Sequence, residues 1–233
     1  MHSLPAAALF DMDGTIVDTE PYWIDAEMAL VERDGGSWTY EDGLALVGSA
    51  LTKSARVLRE RGGVRGTDEE IVNDLVAGVH ARIVADGVHW RSGARELLAT
   101  LRSLEVPCAL VTMSYRVLAE AVAAQLPAGT MSVIVAGDAV TQGKPHPEPY
   151  LKAAELLAVD IRQCIGVEDS PTGIASVEAS GARAIAVPYL VHVDAAPQRN
   201  RFSSLTDISL TDIADILGGA TIDRWEQYEH AHH

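Results

Sequence analysis

Cysteine is nearly absent, at two of 233 residues. Two thiols cannot build a disulfide framework, and a zinc site needs more ligands at closer spacing than this chain offers. Cys108 and Cys164 each sit in or beside a short apolar run, where a buried reduced thiol is the expected state. Positive charge is scarce too. Eighteen Lys and Arg stand against 33 Asp and Glu, a formal charge of −15. Such a surface repels nucleic acid and anionic membranes, so neither is an expected partner. No apolar stretch is long enough to cross a bilayer, and the N-terminus lacks a charged leader followed by an apolar segment. The expectation is a cytoplasmic protein, and a monomer. Internal repeats and low-complexity tracts are missing as well. The last residues, His230, Ala231, His232 and His233, are read as a polar tail outside the fold.

The same acidity would repel an anionic substrate. A protein of this charge that handles phosphate must therefore carry its own positive centre.

What is present is enough apolar material for a real core, 48% of the chain. Five short apolar runs read as buried strands: Ala6–Phe10, Pro107–Thr112, Val133–Ala136, Cys164–Val167 and Ala182–Val187. Each is continuous rather than alternating, as expected when both faces of a parallel sheet are covered. Helical periods lie between them, with Leu97, Leu101 and Leu104 on one face and Tyr150, Ala154 and Leu157 on another. Strands alternating with helices predict an α/β, doubly wound, Rossmann-like parallel sheet. From 19 to 87 the rhythm changes to helices alone. Ile24, Met28 and Val31 make one stripe, Ile71, Leu75 and Val79 another, with breaks at Gly35-Gly36, Gly62-Gly63 and Gly66. This predicts a sheet domain of 1–18 with 88–233 and an inserted helical domain of 19–87, able to serve as a lid.

Open parallel sheets bind ligands beyond the carboxyl ends of their strands. Asp11-Met12-Asp13-Gly14-Thr15 follows the first strand and Thr112-Met113-Ser114 the second. The loop after the third leads to Gly143-Lys144-Pro145, and Glu168-Asp169-Ser170 follows the fourth. Four carboxylates gathered without counter-charge would be costly to bury. A hard cation such as Mg²⁺ prefers oxygen ligands and would neutralise them, with Lys144 adding a second positive charge. Asp11 can then attack phosphorus. Asp13 can protonate the leaving oxygen and later activate water. Gly14 lets the backbone near Met12 and Asp13 turn its N–H groups towards phosphate, where Met113 and Ser114 are further candidates. Thr112 would donate its hydroxyl, and Lys144 would hold nucleophile and phosphate together. Ser170-Pro171 also reads as a helix N-cap followed by proline at the first helical position.

These residues resemble the haloacid dehalogenase-like superfamily. Phe10–Thr15 looks like its DxDGT motif, Val111-Thr112 its second, Lys144 in Gly-Lys-Pro its third, and Gly166–Ser170 its fourth. The helical block sits where subclass I members insert a cap, and Val17-Asp18-Thr19-Glu20-Pro21 resembles the phosphatase and phosphoglucomutase-like branch. So does Ser204-Leu205 before an Ile/Leu-rich helix. The resemblance implies that Asp11 is nucleophile and magnesium ligand, and that Asp13 is acid/base and binds metal through its carbonyl. It implies that Asp169 ligates directly, and Glu168 directly or through water. Pro21-Tyr22-Trp23 lacks the histidine of β-phosphoglucomutases, and Gly48–Leu51 lacks their arginine, which favours a hydrolase over a mutase. Glu20, Tyr22, Trp23, Lys53 and Arg56 are cap candidates for touching substrate.

The expected activity is Mg²⁺-dependent hydrolysis of a small phosphorylated metabolite, a sugar, polyol or glycolate phosphate, through an aspartyl-phosphate. The alternatives are a phosphoglucomutase-like phosphotransferase and, from another class, a phospho-acceptor signalling domain. A 2-haloacid dehalogenase would need neither Asp13 nor the Glu168-Asp169 pair.

Overall fold

The structure, a computed structural model, describes residues 4–46, 49 and 51–225. Gly48 and Ala50, in the stretch compared with the mutase arginine, lie outside the described residues, as does the 230–233 tail. The chain divides into two units, one running to Asp18 and resuming at His89, the other spanning Thr19–Val88.

The first unit is built on seven parallel strands among the described residues. They are β1 (Ala7–Phe10), β4 (Cys108–Val111), β5 (Val133–Val135), β6 (Cys164–Glu168), β7 (Arg183–Ala186), β8 (Asn200–Phe202) and β9 (Asp223–Arg224). Their order is β5-β4-β1-β6-β7-β8-β9. All five expected strands are there, with ends within a residue or so of the apolar runs, as helix and strand ends usually allow. On β1, Ala7, Ala8, Leu9 and Phe10 are all fully buried, so both faces of the strand are covered. Ala7 and Leu9 share a cluster with Ala109, Val111, Tyr150, Ala153, Ile174 and Val177. The last four come from helices α7 (Glu148–Leu156) and α8 (Pro171–Ser180). Burying a side chain such as Leu9 or Phe10 is worth about 1.5–3 kcal/mol. Cys108 and Cys164 are buried free thiols on strands that flank β1 from opposite sides.

The chain leaves β1 for β4 and β5 on one side, then returns to β6 on the other. The strand order therefore reverses between β1 and β6, the point where open α/β sheets form a crevice at their carboxyl ends. Val17–Asp18 (β2) and His89–Trp90 (β3) form a separate antiparallel pair where the chain leaves and re-enters this unit. The Tyr189 hydroxyl donates to Asp18 at 2.9 Å, and the Arg91 guanidinium lies 3.6 Å over the Tyr189 ring. That stacking is favourable for a cation, while the buried Arg91 Nε has no hydrogen-bond partner.

The second unit is helical: α1 (Glu20–Arg33), α2 (Tyr40–Leu44), α3 (Leu51–Glu60) and α4 (Asp68–Asp86). Thr39 with Asp42 and Thr67 with Glu70 form capping boxes that start α2 and α4. Ile24, Val31, Ile71, Leu75 and Val79 are buried, while Met28 of the expected stripe is exposed. In the first unit Leu104 is likewise exposed, because α5 (Ala94–Ser103) ends just before it. The fold is α/β, a doubly wound parallel sheet carrying an inserted all-helical domain.

Candidate active site

Asp11 is the first residue beyond β1, and its N–H donates to Val167 of β6 at 3.0 Å. The chain then turns at once. The amides of Thr15, Ile16 and Val17 all reach back to the Met12 carbonyl, and the Met12 side chain is fully buried beneath. Gly14 has φ +83°, and a Cβ there would collide with the Asp169 carboxylate, so the position needs glycine for both conformation and space. Its own N–H donates to the Val17 carbonyl at 2.8 Å.

Across the switch point, β6 ends in Glu168 and is followed by Asp169. Oxygens of Asp11, Glu168 and Asp169 all lie within 4.8 Å of one another. All three residues are buried. Lys144 stands among them, its Nζ 2.6 Å from Asp11 Oδ1 and 2.6 Å from Glu168 Oε1, and it donates to the Val111 carbonyl at 2.8 Å. Thr15 donates to Asp11 Oδ2 at 3.0 Å and reaches Asp169 Oδ1 at 3.5 Å. The Tyr150 hydroxyl donates to Glu168 Oε1 at 2.7 Å. A Cβ on Gly173 would collide with the Glu168 carboxylate. Ser170 caps α8 by accepting the Gly173 N–H at 3.1 Å, with Pro171 next in line, as the sequence predicted.

Burial, then the repulsion of Asp11, pushes the Glu168 carboxyl above its ordinary value. Burial, then Asp11 and Glu168, does the same to Asp169. Burial alone would lower the Lys144 ammonium, but Asp11 and Glu168 outweigh it and hold Lys144 firmly charged. One lysine among three buried carboxylates leaves negative charge uncompensated. The donor set is all oxygen, the chemistry that suits a hard divalent cation, so these residues could hold one.

Asp13 lies half-buried beside this cluster. Its Oδ2 accepts the Ser114 hydroxyl at 2.7 Å and the Thr112 hydroxyl at 3.2 Å, and Thr112 Oγ1 in turn accepts the Ser114 N–H at 2.9 Å. In the structure the Thr112 and Ser114 hydroxyls both orient the second aspartate. Met113 is exposed, and its sulfur accepts the Lys144 N–H at 3.4 Å. The Lys144 loop is tied down further along. Glu148 accepts the N–H groups of Thr141 and Gln142 at 2.7 and 2.9 Å, and Ser176 donates to the His146 carbonyl at 2.6 Å.

Asp11, Met12, Asp13, Gly14, Thr112, Met113, Ser114, Lys144, Glu168 and Asp169 thus all belong to the first unit. The geometry adds Thr15 and Tyr150. In the sequence Thr15 stands only as the end of a motif, and Tyr150 only as part of a helical stripe. A hydroxyl on a residue whose neighbours bury it was the available signal, since buried hydroxyls need partners. The remaining candidates belong to the helical unit. Glu20 opens α1 and is half-buried, and Lys53 is exposed on α3. Tyr22 is buried and donates to the Gly87 carbonyl at 3.1 Å, which gives it a packing role. Trp23 is half-buried. Arg56 approaches Asp68 at 3.8 Å.

A family model described as haloacid dehalogenase-like hydrolase matches residues 8–187. Hexitol phosphatase A of Escherichia coli is 34% identical over 185 residues, covering 77% of this chain and 81% of that protein. The bifunctional riboflavin kinase/FMN phosphatase of Arabidopsis thaliana is 27% identical over 97% of this chain, which spans only 57% of that longer protein. Among solved structures, CbbY from Rhodobacter sphaeroides in complex with phosphate gives a TM-score of 0.74 at 26% identity, covering 88% of this chain and 96% of that one.

Proposed function

The chain belongs to the haloacid dehalogenase-like hydrolase family, and from that premise we propose that it is a Mg²⁺-dependent phosphatase acting on a small polyol or sugar phosphate. The observation that carries this reading is the nest formed by Asp11, Glu168 and Asp169 around Lys144, with Asp11 held at 2.6 Å by the lysine.

Asp11 is the nucleophile. Lys144 and Thr15 fix its carboxylate, so that one oxygen can meet phosphorus in line and the bond to the leaving oxygen can break. Asp13, held by Ser114 and Thr112, delivers a proton to that leaving oxygen. It then takes one back from the water that hydrolyses the aspartyl-phosphate and frees Asp11. Lys144 offsets the charge that develops on the transferring group. Asp11, Asp169 and Glu168 would hold Mg²⁺, which supplies Lewis-acid stabilisation of the phosphoryl oxygens. Glu20 and Lys53 are the residues of the helical unit proposed to meet the organic part of the substrate. The hexitol phosphatase relative supports a polyol or sugar leaving group, and the absence of a histidine at 21–23 supports hydrolysis over phosphoryl return.

The test is release of inorganic phosphate from an aryl phosphate and from a panel of hexitol and sugar phosphates, with and without Mg²⁺. Turnover should require the metal and be highest within the polyol and sugar set. Conversion of a sugar 1-phosphate to its 6-phosphate without phosphate release would overturn the hydrolase reading.

A further inference from the structure

Tyr150 takes no part in the chemistry above, yet it is the largest fully buried side chain of the described residues and aims its one polar atom at the metal nest. It sits in the first turn of α7, on the core face shared with Leu9 and Val111. A phenylalanine would fill that place with no hydroxyl to satisfy.

What the hydroxyl does follows from the donors around it. The Lys144 ammonium has three N–H bonds, and three acceptors lie within reach: Asp11 Oδ1, Glu168 Oε1 and the Val111 carbonyl. Lys144 is fully committed. Glu168 Oε1 therefore shares a lysine that also serves Asp11 and a strand end, and Tyr150 adds a second donor to the same oxygen at 2.7 Å. Two donors on Oε1 fix the plane of the carboxylate. Oε2 carries a single long contact, from Ser170 at 3.4 Å, and so keeps coordination capacity. Gly173 keeps open the space this carboxylate occupies. The Tyr150 ring also lies under the lysine, its centroid 5.3 Å from Nζ.

We infer that Tyr150 is a positioning residue that orients Glu168 towards the divalent cation. The inference rests on the metal-dependent reading above. Groups that orient metal ligands in this way carry a large share of metal affinity when removed, about 10–100-fold.

The experiment compares the intact protein with Tyr150→Phe, which keeps the ring in the core at nearly the same volume. Mg²⁺ binding is measured by calorimetry without substrate, and kcat, substrate KM and the Mg²⁺ activation constant are measured separately. The expected result is a Mg²⁺ dissociation constant raised by about tenfold. The activation constant should rise in parallel, while kcat at saturating Mg²⁺ and substrate KM stay near the parent values. A purely structural tyrosine would lower the melting temperature and leave Mg²⁺ affinity alone, and that result overturns the assignment. So does a fall in kcat with unchanged Mg²⁺ binding. If the parent takes up no Mg²⁺ at all, the metal-dependent reading falls and the assignment falls with it.

Discussion

Both units of this protein bury carboxylates, and they treat them differently. In the sheet unit, Asp11, Glu168 and Asp169 crowd within 4.8 Å, but Lys144 touches two of them and three hydroxyls, on Thr15, Tyr150 and Ser170, donate to the group. In the helical unit, Glu27 of α1 is only 5% exposed, and the partner the structure gives it is neutral, the Trp38 indole N–H at 3.3 Å. Burial pushes Glu27 up to about 7, with Trp38 pulling the other way and Glu20 adding to the rise. The contrast separates two uses of a buried acid. In the nest burial still raises Glu168 and Asp169, but Lys144 opposes the rise, and a divalent cation bound there would hold them charged for chemistry. A carboxylate provided with a neutral donor stays charged only at a cost to stability, and near neutrality it takes up a proton.

That comparison can be broken most forcefully by removing the cation. Lys144→Met should destabilise the metal-free protein by about 3–5 kcal/mol, because it strands buried charge rather than a surface pair. Chemical denaturation in the presence of a chelator checks this, and a loss under 1 kcal/mol would mean the nest does not depend on its lysine.

Next in size is the metal itself. Mg²⁺ at about 100 times its dissociation constant should stabilise the protein by about 2.7 kcal/mol. The gain should grow with pH. Glu168 and Asp169 have folded-state values above their unfolded ones. Their contribution is thus present below the ordinary carboxylate range and drains away as pH rises through the raised values. Mg²⁺ binds the deprotonated forms, so it offsets that loss where the loss occurs. Melting curves at pH 5 and pH 8, with and without Mg²⁺, give the answer. A gain that shrinks from pH 5 to pH 8 would contradict the account.

The smallest effect sharpens the other side of the comparison. Because the folded value of Glu27 is raised, it contributes fully below its unfolded value and loses that contribution as pH climbs through about 7. Glu27→Gln cannot ionise. It should be more stable than the parent at pH 8 by on the order of 2 kcal/mol and nearly equal to it at pH 5. Equal stability of the two at pH 8 would show that Glu27 is solvated or paired well enough to stay charged.

The sheet was legible in the sequence because its central strands are short unbroken apolar runs, buried on both faces. The edge was not. Asn200–Phe202 and Asp223–Arg224 carry polar residues on two- and three-residue strands, and no apolar run marks them. The nest was legible as a set, since Asp11, Lys144 and Glu168-Asp169 each follow a readable strand or sit in a Gly-Pro turn. The partners of Asp13 were not, because Thr112 and Ser114 lie about a hundred residues away in sequence and nothing in their spacing shows that both hydroxyls meet its carboxylate. A glutamate in an amphipathic helix, such as Glu27, reads as solvated unless the partner that buries it, here Trp38 eleven residues away, is already known.

The central claim is that Asp11 becomes phosphorylated during turnover. The direct measurement is acid quenching of the enzyme with Mg²⁺ and substrate in the steady state, followed by mass spectrometry of the peptide that contains Asp11. The account predicts one added phosphoryl group on Asp11, absent from Asp11→Asn, which should also lose at least about a thousandfold in turnover. Steady hydrolysis by Asp11→Asn at the parent rate, with Asp11 of the parent never modified, would contradict it.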